Sequence, residues 1–132
     1  MNDFSDEAPS PTGELMLQTV AMPADTNPRG DIFAGWLVSQ MDIAGAILAI
    51  KVARGRVVTV AIDSMHFLTS VHVGAVVSCY ASLVHVGTSS LRVAVEVWIN
   101  DPQTFDPIKV TESEFVFVLL DEQGRAKAVQ PV

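Results

Sequence analysis

A single cysteine, Cys79, stands in this chain of 132 residues, so no disulfide can form within it. A reducing, cytoplasmic setting is expected. Cys79 lies in a valine-rich run and reads as a small buried apolar residue rather than a nucleophile. Positive charge is scarce too: eight Lys and Arg against fifteen Asp and Glu leave a formal net charge of −7. Nucleic-acid binding depends on clustered cations that neutralise phosphates, and is not expected. Residues 1–12 carry Asp3, Asp6 and Glu7 with Pro9 and Pro11, which is neither a basic nor an apolar leader. No signal peptide is expected there, only a disordered tail ahead of one domain over residues 13–132. Charged residues are 17% of the chain, where about a quarter is usual. With an apolar fraction of 49%, so thin a charged surface suggests that other copies of the chain cover part of it.

The remaining pattern divides into one strand, one helix and four strands. Gly13 to Met22 alternates loosely and ends at Pro23; Pro23 to Asp31 is rich in turn formers and reads as a loop. Ile32 to Ile50 has no proline and too few β-branched residues for a strand of that length, so a helix is expected from near Ala34, closed by Gly55. Four strands follow, over Arg56 to Ser70 with a bulge near Asp63, Val76 to Val86, Ser89 to Asn100, and Ile108 to Leu120. The third has the cleanest period of two, with Leu91, Val93, Val95, Val97 and Ile99 on one face. No repeat or linker interrupts the pattern. An α+β domain follows, an antiparallel sheet wrapped round one central helix.

That helix holds one ionisable residue between Ile32 and Ile50, Asp42. A membrane span needs roughly 20 apolar residues. The central Asp42 beside Gln40 and Ser39, and the amphipathic strands that follow, argue against one. A buried, unpartnered carboxylate costs free energy or takes up a proton, so Asp42 either serves a structural pair or does chemistry. Gly35, Val38, Ser39, Asp42, Gly45, Ala46 and Ala49 fall on one helix face made mostly of small residues, leaving room for a ligand or a close backbone. Gly35 lies near the helix start, where free N–H groups can stabilise charge developing on oxygen. It stands roughly 10 Å from Asp42 at about 1.5 Å per residue. One carbonyl cannot easily use both from the same chain, so a site shared between two subunits is expected. Lys51, Arg54 and Arg56 form the one basic spot. Either they answer the helix dipole, or they face an anionic ligand.

The segments DTNPRGDIFAGWLVSQMDIAGA (Asp25–Ala46) and GRVVTVAIDSMHFLTSVHVGAVVSCYASLVHVGTSS (Gly55–Ser90) closely resemble those of YciA-type acyl-CoA thioesterases. The likeness runs in order through nearly the whole chain after the tail. It implies a hotdog fold, with two copies joining their sheets, such dimers often forming a trimer of dimers, and active sites at the dimer interface. It implies Asp42 as the catalytic carboxylate, Asn27 facing it from the other subunit, and Gly35 as the oxyanion donor. It also implies CoA contacts at Gly87, Thr88, Ser89 and Ser90, and makes Thr59 a site neighbour; Arg56 joins these as a candidate CoA contact. By itself Asn27 reads as a turn residue, and the matching motif is what favours a functional role; Gly87–Ser90 read equally well as an ordinary hairpin turn, and Thr59 reads more readily as an ordinary strand residue. The sequence departs from the family at Ala34, where a second glycine is frequent, and its last cations are Arg125 and Lys127.

The expected reaction is hydrolysis of an acyl-CoA thioester, with no cofactor beyond the CoA of the substrate and no metal. Asp42 would act as general base on water or attack directly as nucleophile. His66, His72 and His85 lack metal-ligand spacing. A hotdog hydratase would favour an Asp–His pair near the helix, yet no histidine lies between Met1 and Arg56. A non-catalytic acyl-CoA binder is the other reading, and the presence of both Asn27 and Asp42 argues against it.

Overall fold

A computed structural model describes residues 9–130. Residues 1–8, most of the expected tail, and 131–132 lie outside the described residues. The elements are β1 (Glu14–Val20), a single 3-10 turn (Pro23–Asp25), α1 (Ala34–Ala53), β2 (Val57–Ile62), β3 (Val76–Val86), β4 (Ser90–Asn100) and β5 (Pro107–Leu119). The strands form one five-stranded sheet in the order β1-β3-β4-β5-β2, and every neighbouring pair is antiparallel. This is the expected α+β outline of one helix laid on one sheet.

The helix lies on the sheet through Leu37, Met41, Ala44, Gly45, Leu48, Ala49 and Ala53, all buried. Their three-four spacing makes one face. Val93, Val95, Val97, Phe115 and Phe117 meet them from β4 and β5 at zero exposure, as the period of two requires. Gly45 sets how closely helix and sheet approach, because an added Cβ would stand 3.0 Å from the Phe117 ring. The opposite face of the helix is apolar as well: Ile43, Ile47 and Ile50 are exposed. A helix apolar on all sides is normally covered on all sides.

Two local expectations are corrected. The helix is closed by Arg54 in the left-handed region (φ 57°), whose N–H reaches the Ile50 carbonyl, and not by Gly55. Gly55 is needed for space instead, since a Cβ there would stand 2.7 Å from Leu119 Cδ1. The strand expected from Arg56 to Ser70 ends at Ile62. Beyond it, Thr111 and Ser113 of β5 donate their hydroxyls to the carbonyls of His66 and Asp63. Side chains thus replace a continuous backbone ladder, and residues 63–68 follow β5 as a loop before residues 71–75 pass beside Ile32 and Ala21. Cys79 is buried as expected, and burial pushes its thiol up to about 12.

Candidate active site

Asp42 sits on the flank of the helix, between the face that meets the sheet and the face left open. It is half-buried. Its neighbour is Thr59 on β2, whose hydroxyl donates to Asp42 Oδ1 at 2.6 Å. The strand register explains the meeting. Thr59 pairs with buried Phe117, so it shares that residue's face and points at the helix. The register then shifts between Thr59 and Ala61, with Val60 as the extra residue. A bulge of this kind re-aims side chains locally.

A carboxylate offers about four acceptor positions. Thr59 fills one of them, and among the described residues the second oxygen, Oδ2, has no hydrogen-bond partner. No buried side-chain polar atom among the described residues lacks a partner, so Oδ2 is open to solvent rather than sealed. The helix therefore presents a carboxylate that is held on one side and free on the other. Such a group can accept a proton from water, or attack a carbonyl itself.

The helix start supplies the complementary chemistry. Phe33, the N-cap residue, offers no side-chain cap. Its carbonyl accepts the N–H groups of Trp36 and Leu37. The N–H groups of Ala34 and Gly35 have no acceptor among the described residues. Space around the Gly35 α-carbon is open, with nothing within 4 Å of an added Cβ. Phe33 flanks this opening half exposed. The sequence reading did not single it out, although an aromatic next to an uncapped helix start was the available signal.

Asn27 organises the loop before the helix. Its Oδ1 accepts the N–H groups of Arg29 at 2.9 Å and Asp31 at 3.1 Å, while its own N–H donates to the Asp31 carbonyl. The turn role is thus present. It also fixes the amide, because the oxygen faces the loop and the NH2 group faces away from it. No hydrogen bond joins Asn27 to Asp42 within the described residues of one chain. Among the described residues, Asp42 and Thr59 are the singled-out residues of different elements that a hydrogen bond brings together.

The hairpin Gly87–Ser90 joins β3 and β4. The Gly87 N–H donates to the Ser90 carbonyl, and the Ser89 and Thr88 carbonyls accept the N–H groups of Leu119 and Val129. Its backbone is held by the sheet and the C-terminal segment, leaving Thr88 exposed. Ser90 pairs with Val118, so the hairpin stands two strands from Thr59, or about 10 Å at ~4.8 Å per strand. Arg56 is exposed and spends one N–H on the Asp121 carbonyl at 3.2 Å. His66, His72 and His85 are exposed, and His72 Nδ1 lies 3.2 Å from Asp31 Oδ1. No cluster of three or more potential metal ligands occurs among the described residues.

Family comparison decides what this arrangement belongs to. The model of the thioesterase superfamily matches residues 29–105, more than half of the chain and the whole of the helix–β2 unit. The chain belongs to the thioesterase superfamily. Within it, the chain is 52% identical over 123 residues to the acyl-CoA thioester hydrolase YciA of Escherichia coli, covering 90% of this chain and 92% of that one. The hexameric thioesterase of Yersinia pestis is 48% identical with a TM-score of 0.89, over 92% of this chain and 100% of that one. A hexameric hotdog fold thioesterase of Campylobacter jejuni is 41% identical with a TM-score of 0.84, over 89% and 91% of the two chains. The hotdog fold expected from the sequence is therefore the fold of this thioesterase.

Proposed function

We propose that this thioesterase hydrolyses acyl-CoA thioesters to CoA and a carboxylic acid, with Asp42 as its catalytic carboxylate. The observation that carries the reading is the Thr59 hydroxyl on one oxygen of Asp42 at 2.6 Å, with the other oxygen open. Family membership supports the substrate class, since the curated relative is an acyl-CoA thioester hydrolase.

The reaction needs little beyond positioning, because a thiolate leaves readily. Asp42 takes the proton of a water as its oxygen attacks the carbonyl carbon. The carbonyl oxygen gains charge, and the Gly35 N–H of the facing subunit donates to it. The C–S bond then breaks and the CoA thiolate departs. The Asn27 amide NH2, turned away from its own loop, orients the water or the thioester. Thr59 holds the carboxylate in place. Direct attack by Asp42 to form an anhydride uses the same open oxygen. Heavy oxygen recovered in Asp42 after a single turnover in labelled water identifies that route.

Two copies are needed to assemble this site. Val58, Val60 and Ile62 on β2 are exposed apolar residues on the strand at one edge of the sheet. Ile43, Ile47 and Ile50 line the open face of the helix. An unpaired apolar edge and an uncovered apolar helix face call for a second copy. The hexameric thioesterases among the relatives support a trimer of such dimers. Gly87, Thr88, Ser89, Ser90 and Arg56 are the groups we assign to CoA.

Thiol release from acyl-CoA tests the activity. Complementation tests the shared site. Asp42→Asn and Asn27→Ala are each expected to be inactive, and mixed subunits are expected to regain part of the activity, because one site of each mixed pair keeps both residues. Full activity in Asp42→Asn, or no recovery on mixing, defeats the assignment.

A further inference from the structure

The loop that carries Asn27 is held from behind by two side chains to which the reaction gives no part. Residues 26–32 form a small hairpin, closed by a bridge between Thr26 and Ile32. Within it the Asn27 N–H donates to the Asp31 carbonyl at 2.7 Å, and Asn27 Oδ1 accepts the Asp31 N–H at 3.1 Å. The Gly30 N–H closes the turn on the Asn27 carbonyl at 2.9 Å. Asn27 thus takes its place, main chain and side chain alike, from the backbone of Asp31. Pro28, Arg29 and Gly30 are exposed and Asn27 is half-buried. Hydrogen bonds rather than burial therefore place the amide.

Asp31 rests in turn on residues 71–75, just ahead of β3. It bridges to His72, and the Ile32 N–H beside it donates to the Val71 carbonyl at 2.8 Å. His72 Nδ1 lies 3.2 Å from Asp31 Oδ1. This support is firm. Val71 is buried in the core, and the Gly74 N–H and the Ala75 carbonyl are both bonded to buried Ala21.

The charged groups near His72 leave Asp31 as its partner. Asp25, on the same loop, turns Oδ2 onto the Met22 N–H at 3.2 Å. Asp101 lines the groove that His72 borders, and its Oδ1 accepts the N–H groups of Gln103 and Thr104. Arg29, the one cation of the loop, makes no ion pair among the described residues.

We propose that Asp31 and His72 are positioning residues for Asn27, a brace that fixes the direction in which its NH2 group is presented. This rests on the role given to Asn27 above. Neither side chain is asked to reach the thioester; both act through the loop. Histidine is the side chain that ordinarily changes charge between about pH 5 and 8. A protonated His72 meets the Asp31 carboxylate as a cation, and the brace is then strongest. A neutral one leaves at most a hydrogen bond, about half as strong.

The test compares the native full chain with His72→Ala, Asp31→Asn and the double variant, at about pH 6 and about pH 8. The two side chains are 72% and 33% exposed, so each variant is expected to fold. At the lower pH each single variant should lose about two- to five-fold in kcat, the scale of an exposed ion pair. Amide exchange should quicken at Arg29 and Asp31, whose N–H groups Asn27 Oδ1 holds. The double variant should fall no further than either single one, since a pair broken once has no more to lose. At the higher pH the gap between native and His72→Ala should narrow. An equal gap at both pH values, additive losses in the double variant, or unchanged exchange at Arg29 and Asp31 overturns the proposal. Native activity in His72→Ala beside an inactive Asn27→Ala overturns the proposal alone. Native activity in Asn27→Ala overturns the site reading on which it rests.

Discussion

Asp42 and Glu96 are both carboxylates drawn back from solvent, on opposite sides of one sheet, and they are furnished in opposite ways. Glu96 alternates with buried Val95 and Val97 on the face away from the helix, and only 15% of its side chain is exposed. Its Oε1 accepts the Trp98 indole N–H at 2.8 Å and the Thr12 N–H at 3.1 Å, and Lys109 Nζ lies 3.7 Å from its Oε2. Among the described residues Asp42 has one donor, Thr59, and no cation. A carboxylate with its acceptor positions filled is a structural joint, here tying the chain before β1 to β4 and β5. One with acceptor positions left over can still do chemistry.

The largest expected effect separates the two. Asp42→Asn should cut thiol release about 10²- to 10⁴-fold, the usual worth of a general base, with little change in melting temperature. A comparable loss of stability in that variant would make Asp42 a structural joint as well. Thr59→Val keeps the shape and removes one hydrogen bond to a charged acceptor, worth roughly 1.5–3 kcal/mol, so kcat should fall about 10- to 150-fold. The KM should move little, because the lost bond holds the carboxylate and not the substrate. Glu96→Ala should do the reverse. It leaves the Trp98 and Thr12 donors without their acceptor and should cost about 1–3 kcal/mol in chemical denaturation, with kcat per folded chain unchanged.

The smallest effect concerns pH. The N–H groups of Thr104 and then Gln103 hold the exposed Asp101 carboxyl below the usual aspartate range. A carboxyl with a lowered folded value contributes stability that is fully present above its unfolded value of about 3.9 and is lost as the pH falls through the folded one. Below that range the Asp101–Asp106 loop should loosen, seen as faster amide exchange at Gln103 and Thr104.

Much of this was legible in the amino acids. Leu91 to Ile99 alternate so regularly that β4 could be placed to within one residue, and the absence of any other charge between Ile32 and Ile50 singled out Asp42. What escaped reading depends on contacts remote in the chain. Ile62 ends β2 because hydroxyls some fifty residues later serve the carbonyls that follow. Arg54 and Phe105 adopt left-handed backbones without being glycine, so composition carries no sign of them. Thr59 could be named as a neighbour of Asp42, but the direction of its side chain follows from its pairing with Phe117.

Val60 has a consequence for how faithfully this protein is put together. As the surplus residue of β2 it acts as a stop, because the strand can seat against β5 in one position only. Sliding by one place would turn the Thr59 hydroxyl outward and set a hydrocarbon side chain against Asp42. The alignment of Asp42 with Thr59 is thus decided by a residue count in a six-residue strand.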